Sequence, residues 1–394
     1  MINFCEALSL IKHNLINTQE ELIKTHASLG CILANNIQAP LDLPPFTNSA
    51  VDGFAVGEHE ITSDSQFLIS NTIRAVAQEY SYLKANSCAR IMTGAPLPKD
   101  ATAVVMKEDA VYSPDKLSVS FTKKPVFGAH IRKQGEDVKI NQLVAQRGQQ
   151  VTPELLGLLL GLGVAEISVF KPPKLAIICT GDELVEAPQK LKYGEVYFFV
   201  GAMLKAQAQA IGLSEISIER VGDNKDAISA SLHKAGQAEL VLITGGMSKG
   251  EHDFVRPALA HVGVEEIFYQ GLWRPGKPLY FGRTKKTVYF GLPGNPVACF
   301  VAFRIFVQSW LSALFTNKSL EARSYARLTH DTNKIANFTF FARAQCDAKN
   351  NITILPGQGS HEIYSLSTAN ALCYLPAGVG AFQRGEEVAY WSLL

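Results

Sequence analysis

Residues 239–250 read ELVLITGGMSKG: an apolar run from Leu240 to Ile243 stops at Thr244-Gly245-Gly246-Met247-Ser248-Lys249-Gly250, with Asp253 just beyond. Three other segments share this arrangement. KLAIIC (174–179) leads into Thr180-Gly181-Asp182-Glu183, SEISIERV (214–221) into Gly222-Asp223-Asn224, and TVYF (287–290) into Gly291-Leu292-Pro293-Gly294-Asn295-Pro296. Helical patterns fall near 201–211, 224–236, 253–261 and 296–315. Strand patterns alternating with helical ones predict βαβ units and a parallel sheet. In a parallel sheet all four turns lie at the carboxyl ends of their strands, where open α/β sheets bind ligands.

Each turn has two readings. Glycines at 245 and 246 permit a tight turn whose amides approach an anion, with Ser248 and Lys249 adding a hydroxyl and a charge. Taken alone, the same string is an ordinary strand-to-helix turn, and it is neither a Walker A loop nor a dinucleotide fingerprint. Asp182, Glu183, Asp223 and Asp253 offer the oxygen donors that suit Mg²⁺ beside substrate phosphates. A single one of these aspartates reads more simply as a helix cap; several at one sheet edge favour a metal. Arg274-Pro275-Gly276-Lys277-Pro278 sets two cations in a stiffened backbone, and GLPGNPVACF (291–300) feeds a rigid turn into a helix start. No Ser/His/Asp or Cys/His pairing calls for a nucleophile, and Cys179 reads as core.

Outside this region the pattern changes. The chain has 394 residues, which suggests roughly two to three domains. The first forty residues look helical, with Phe4, Ala7, Leu8, Ile11 and Leu15 at helical spacing and a second helical stretch to about Asn35. Short β-like runs fill 52–137, among them QFLIS, CARIM, ATAVVM and KLSVSF. Thr152-Pro153-Glu154 predicts a helix start, ELLGLLLGLGVAEISVF a core helix followed by a strand, and Lys171-Pro172-Pro173 a linker. From 321 onward the runs are again β. The expected domains are 1–44 with 138–170, helical; 45–137, an inserted β-rich unit; 171–320, central α/β; and 321–394, β-barrel-like. The expected fold is therefore multi-domain α/β, with a central doubly wound domain and a mainly parallel sheet, N-terminal helical plus β-rich subdomains and a C-terminal all-β domain.

Composition narrows the function classes. The chain is 47% apolar and 19% charged with a net charge of +1, so no global field recruits nucleic acid or an acidic membrane surface. Seven scattered cysteines without a C-x-x-C pair argue against a disulfide framework or zinc site and fit a reducing cytosol, so a cytoplasmic location is expected. The N-terminus MINFCEALSLIKHNL lacks the basic start and apolar block of a signal peptide. In the N-terminal half, Ser49 and Asp52 sit in one turn string, Thr93 and Gly94 in another, and Arg132, Glu136 and Asp137 in a third. Each alone reads as turn chemistry or a surface ion pair.

Nine segments taken in order carry a resemblance: PPFTNSAVDGFAV (44–56), RIMTGAPLP (90–98), HIRKQGEDV (130–138), TGDELV (180–185), VGDN (221–224), GGMSKGEHDF (245–254), RPGKP (274–278), GLPGNPVA (291–298) and LPGQGSHEIYSLSTANAL (355–372). Together they resemble the molybdopterin molybdenumtransferase family, which includes the bacterial molybdenum-insertion enzymes and the E domain of gephyrin, over nearly the whole chain. The resemblance implies a cytoplasmic transferase of molybdenum cofactor biosynthesis. It implies that adenylylated molybdopterin and molybdate react in a Mg²⁺-dependent step that releases AMP. Carried over by motif, Asp182, Asp223 and Asp253 would hold the metal. Thr180, Gly181, Gly245, Gly246, Ser248, Lys249, Arg274, Pro293, Asn295, Pro296 and Ser360 would bind the pterin nucleotide, with His361 beside Ser360. Asp52, Thr93, Asp137, Glu183 and Lys277 would be catalytic.

The resemblance further implies an elongated homodimer in which Asp52, Thr93 and Asp137 reach the partner's crevice. Molybdopterin adenylyltransferase and molybdoenzyme apoproteins or their chaperones would be partners, with no nucleic acid and no membrane. One segment departs from the family. Where the motif is GQIYDSN, this chain has Gly194-Glu195-Val196-Tyr197-Phe198-Phe199-Val200, so an aspartate and two polar groups become apolar. The first cation of the family's KPGKP is Arg274, which keeps charge and changes geometry. These departures leave two alternatives to the insertase: a non-catalytic pterin-binding or scaffold paralogue, and a tungsten-selective insertase.

Overall fold

The computed structural model describes residues 1–57, 65–77, 79–247, 254–316 and 323–393. The chain forms two compact units: residues 1–21, 30–34 and 168–394 make one, and residues 22–29 and 35–167 the other.

The first unit is built on the βαβ segment. Helix α1 is Phe4–His13; the strands and helices that follow are β1 Leu175–Thr180, α2 Val200–Ala210, β2 Ile216–Val221, α3 Lys225–Ala235, β3 Leu240–Thr244, α4 Val255–His261, β4 Glu265–Tyr269, β5 Tyr280–Arg283 and β6 Val288–Leu292. They make a six-stranded sheet in the order β2-β1-β3-β6-β5-β4. Pairs β1–β2, β1–β3 and β3–β6 are parallel, while β5 and β4 close one edge antiparallel.

Alternation along the strands explains the two faces. Leu175, Ile177 and Cys179 pack with Leu204 and Ala208 of α2, whereas Ala176 and Ile178 pack with Ile228 and Leu232 of α3 and with Ala258 and Leu259 of α4. Helices cover both faces, so every residue of β1, β3 and β6 is buried, as doubly wound strands require. Helix α5, Pro296–Ala302, continues through a π turn into α6, Gln308–Thr316. By length and apolarity Pro296–Thr316 is the one candidate membrane span among the described residues; 78% of its most apolar window is buried in the fold, as in a core helix.

Two further elements belong to this unit. Helix α1 buries Phe4, Ala7, Leu8 and Ile11 in the same apolar cluster as Phe281, Phe290, Phe306 and Trp391. The C-terminal strands Ser324–Leu328, Thr339–Cys346, Asn351–Ile354, Ala371–Leu375 and Glu387–Ser392 form a mixed sheet with Trp273–Arg274 at its edge. This region is not purely β: helix α7, Ile363–Thr368, interrupts it.

The second unit carries a mixed sheet with Gly53–Gly57 between Ala101–Met106 and Ser87–Ile91, continuing to Phe67–Ile73, Ser118–Phe121 and Ala110–Tyr112. Phe54 and Val56 face one cluster and Ala55 the other. A Cβ on Gly53 would fall 1.9 Å from the Val105 carbonyl oxygen, so only glycine permits this pairing beside Asp52. Thr152 caps the helix Pro153–Gly161 by accepting the Leu155 N–H, and a strand, Glu166–Phe170, follows it. The second helical stretch expected before Asn35 is absent. Glu20–Lys24 is a strand paired with Glu166–Phe170, followed by a short 3₁₀ turn, Thr25–Ala27. The Thr25 N–H donates to the Ala165 carbonyl, so pairing overrides the helix-forming composition of Glu20-Glu21-Leu22.

Candidate active site

The carboxyl ends of β1, β3 and β6 border a cavity of about 440 Å³. Thr180 and Glu183 come from the first turn, Thr244, Gly245, Gly246 and Met247 from the second, and Pro293, Gly294 and Asn295 from the third; Phe198, Phe199, Val200 and Pro278 complete much of the wall. Local geometry explains the glycines. Gly245 has φ +90°, and a Cβ there would lie 2.5 Å from the Thr180 carbonyl oxygen. Gly246 also has positive φ, at +56°. The Thr244 hydroxyl donates to the Pro293 carbonyl at 3.4 Å, tying the second turn to the third. Thr180 is 6% exposed and its Oγ1 is buried without a hydrogen-bond partner among the described residues. A buried hydroxyl in this state is costly unless something pairs with it. Cys179, at the cavity floor, has its thiol pushed up to about 12 by burial, which leaves it protonated and unreactive.

The carboxylates divide between two places. Glu183 lines the cavity and folds over Gly181, where a Cβ would meet its Oε2 at 2.7 Å. The Asp182 carboxylate reaches across to the next strand end. Its Oδ1 accepts the Asp223 N–H at 3.1 Å, and a Cβ on Gly222 would lie 2.7 Å from it. Asp182 is therefore no helix cap, and neither is Asp223: Asn224 caps α3 by accepting the Asp226 and Ala227 N–H groups. The contact between the two residues is carboxylate to backbone amide; the Asp182 carboxylate offers oxygen donors of the kind that hold Mg²⁺ together with substrate phosphates. Among the described residues no three acidic, histidine or cysteine side chains form a cluster. Asp253, Ser248 and Lys249 lie outside the described residues.

The cationic turn sits differently from the glycine turns. The wall described above includes Pro278 but neither Arg274 nor Lys277. The Arg274 guanidinium lies over the Phe338 ring at 4.8 Å, and the Lys277 carbonyl accepts the Gly271 and Leu279 N–H groups. Asn295 precedes α5 without a side-chain cap bond, and Pro296 occupies the first helical turn. The Val297 N–H donates instead to the Ser360 carbonyl at 3.2 Å, which brings the QGSH turn against this helix start. That turn is held by Arg343, fully buried, whose guanidinium donates to Ser365 Oγ at 2.8 Å and to the carbonyls of Gly357 and Gly359. The sequence signal for Arg343 is an arginine inside an otherwise apolar strand, FFARAQC.

The second unit brings together two of its three predicted residues. The Thr93 amide and hydroxyl both donate to Asp52 Oδ1 at 2.8 Å, and Lys107 Nζ stands 3.8 Å from Oδ2. The two bonds from Thr93 hold the Asp52 carboxyl below its ordinary range. Gly94, at φ +80°, gives its N–H to the Ser49 carbonyl and fixes this turn. Asp137 is exposed; its amide donates to the Leu43 carbonyl, and the neighbouring Glu136 accepts the Lys133 N–H.

Comparison with known proteins covers nearly all of the chain. Residues 2–163 match the MoeA N-terminal region (domain I and II), residues 176–313 a probable molybdopterin binding domain, and residues 325–393 the MoeA C-terminal region (domain IV). A molybdopterin molybdenumtransferase of Haemophilus influenzae is 31% identical over 94% of this chain and 93% of its own length. Molybdopterin molybdenumtransferase 2 of Mycobacterium tuberculosis is 32% identical over 92% and 93%, and the Bacillus subtilis molybdopterin molybdenumtransferase 30% over 97% and 92%. Among solved structures, a molybdopterin biosynthesis MoeA protein from Pyrococcus horikoshii OT3 superposes with a TM-score of 0.85 at 25% identity, covering 99% of both chains.

Proposed function

The chain belongs to the molybdopterin molybdenumtransferase family, transferases of molybdenum cofactor biosynthesis, and we propose that it inserts molybdenum from molybdate into adenylylated molybdopterin, releasing AMP in a Mg²⁺-dependent step. The observation that carries this reading is the cavity at the ends of β1, β3 and β6, where a glycine turn, the Glu183 carboxylate and a Thr180 hydroxyl unpartnered among the described residues line one wall, with Asp182 next in the chain to Glu183 and bonded to the Asp223 amide.

The division of labour follows from placement. Gly245 and Gly246 present backbone without side chains to an anionic group, and Thr180 Oγ1 offers it a hydrogen bond. Asp182 and Asp223 would hold Mg²⁺, which when bound neutralises phosphate charge. Glu183 stands in the cavity wall, where a carboxylate positions a cationic or protonated group of the reactants. The reading is electrostatic positioning rather than covalent catalysis, consistent with a Cys179 thiol that burial keeps protonated. Asp52 and Thr93, joined as one hydrogen-bonded unit, together with Asp137, are proposed to serve the crevice of the second copy in a homodimer. A cytoplasmic location, and molybdopterin adenylyltransferase and molybdoenzyme apoproteins as partners, complete the proposal.

The test is turnover. Purified protein supplied with adenylylated molybdopterin, molybdate and Mg²⁺ should release AMP and load metal, and Asp182→Asn should lower that rate by about a hundred-fold, the scale of losing an electrostatic contact to the reacting groups. A folded protein that binds the nucleotide yet releases no AMP would instead be a non-catalytic pterin-binding paralogue. Faster loading of tungstate than of molybdate would make it a tungsten insertase.

A further inference from the structure

Phe198 and Phe199 are consecutive and do different things. The Phe198 ring is partly buried against the sheet: a Cβ on Gly201 would meet its Cζ at 2.7 Å, beside Ile218 Cγ2 and the Cys179 Sγ. Phe199 lines the same cavity but remains 39% exposed. Among the described residues no aromatic ring pairs with it, although the rest of this unit pairs its rings freely, as Phe4 does with Phe306 and Phe341. Phe199 also stands at the N-terminus of α2, where it supplies no side-chain cap; its carbonyl accepts the Met203 N–H. Polar side chains of the same wall include Glu183, Thr244, Asn295 and Thr180, whose buried Oγ1 has no hydrogen-bond partner among the described residues.

We propose that Phe199 is a specificity-determining residue of this cavity, whose open ring face stacks on a flat nitrogen heterocycle of a phosphorylated ligand while Thr180 Oγ1 and the glycine turn take its anionic part. The inference rests on the function proposed above and deepens it. The substrate class of that reaction contains two such heterocycles, a pterin and an adenine, and both would present the same π face. An unpaired phenyl ring gains most from a second ring, because stacking adds to the area it buries. An aliphatic side chain at this position would shield the helix start equally well but would not distinguish a ring from a chain.

The experiment uses the full-length protein with Mg²⁺ and measures binding of AMP, pterin-6-carboxylate and ribose 5-phosphate by calorimetry. Phe199→Leu keeps the apolar bulk without the π face, and Phe199→Tyr keeps the ring. For at least one heterocycle, Phe199→Leu should weaken binding about ten-fold, with Phe199→Tyr close to wild type and ribose 5-phosphate unchanged in all three proteins. The heterocycle affected identifies which ring sits there. Equal affinities for leucine and phenylalanine, equal weakening of all three probes, or a wild-type protein that does not distinguish rings from ribose 5-phosphate would each overturn the proposal. Turnover separates the two readings. A protein that releases AMP with an indifferent Phe199 loses only this inference, and one that reads rings through Phe199 but releases no AMP loses only the proposed reaction.

Discussion

Asp52 is the residue at which the local physics is clearest. Its carboxylate takes two hydrogen bonds from a single residue, Thr93, that lies 41 positions away. Those bonds favour the ionised form and lower its pKa, with Lys107 contributing less. A carboxyl whose folded value lies below its unfolded value adds stability above the unfolded value and loses it as pH falls through the folded one. Asp52 therefore stays charged into mild acid. Thr93→Val removes the hydroxyl bond and leaves the amide bond. An NMR titration of the Asp52 carboxyl should show its pKa move up towards the ordinary range in this variant; an unmoved titration would contradict the assignment. In the sequence Asp52 and Thr93 are two unrelated turn residues, because no local pattern reveals a contact at that separation. Thr180 makes the same point: the motif names it, and only its burial without a partner among the described residues shows that it has a bond to give.

Among the helices, two asparagines of similar sequence setting play different parts. Asn224 caps α3, accepting N–H groups from Asp226 and Ala227 at 2.9 and 3.1 Å. Asn295 precedes α5 and makes no side-chain cap bond, while lining the cavity. Asn224→Ala should therefore cost about 1 kcal/mol of stability in denaturant unfolding. Asn295→Ala should leave the unfolding midpoint nearly unchanged and instead weaken nucleotide binding; a midpoint loss as large as that of Asn224→Ala would argue against a ligand role. Helices α2–α5 are legible because helical patterns alternate with apolar strand runs and turn strings along this segment. The stretch before Asn35 differs from its helical expectation for a non-local reason. Its residues form helices well in isolation, but Glu20–Lys24 pairs with Glu166–Phe170, and the Lys24 ammonium meets the Glu166 carboxylate at 2.7 Å. Strand pairing across more than a hundred residues leaves no trace in a local window.

The whole molecule holds its candidate residues in two compact units, each with its own apolar clusters. The homodimer proposal makes a prediction that belongs at this level. Asp52→Ala and Asp182→Asn would each disable a crevice at a different residue. If Asp52 serves a second copy's crevice, coexpressing the two variants yields mixed dimers with one intact site, and activity should recover to roughly a quarter of wild type at random assortment. No recovery, with mixed dimers demonstrated by affinity tags, would place both residues in service of their own chain. The sequence by itself determined the α/β core, because alternating apolar strands and periodic helices can bury both sheet faces in few ways, and it located the glycine turns at the strand ends. It also singled out Phe198-Phe199-Val200 as a departure. Only the tertiary structure decided that Phe198 and Phe199 both line the cavity, Phe198 partly buried against the sheet and Phe199 exposed, that Asp182 reaches the Asp223 amide rather than capping a helix, and that Arg343 fixes the Ser360 turn. These are contacts between residues distant in the chain, set by packing geometry that periodicity and motif spacing do not encode.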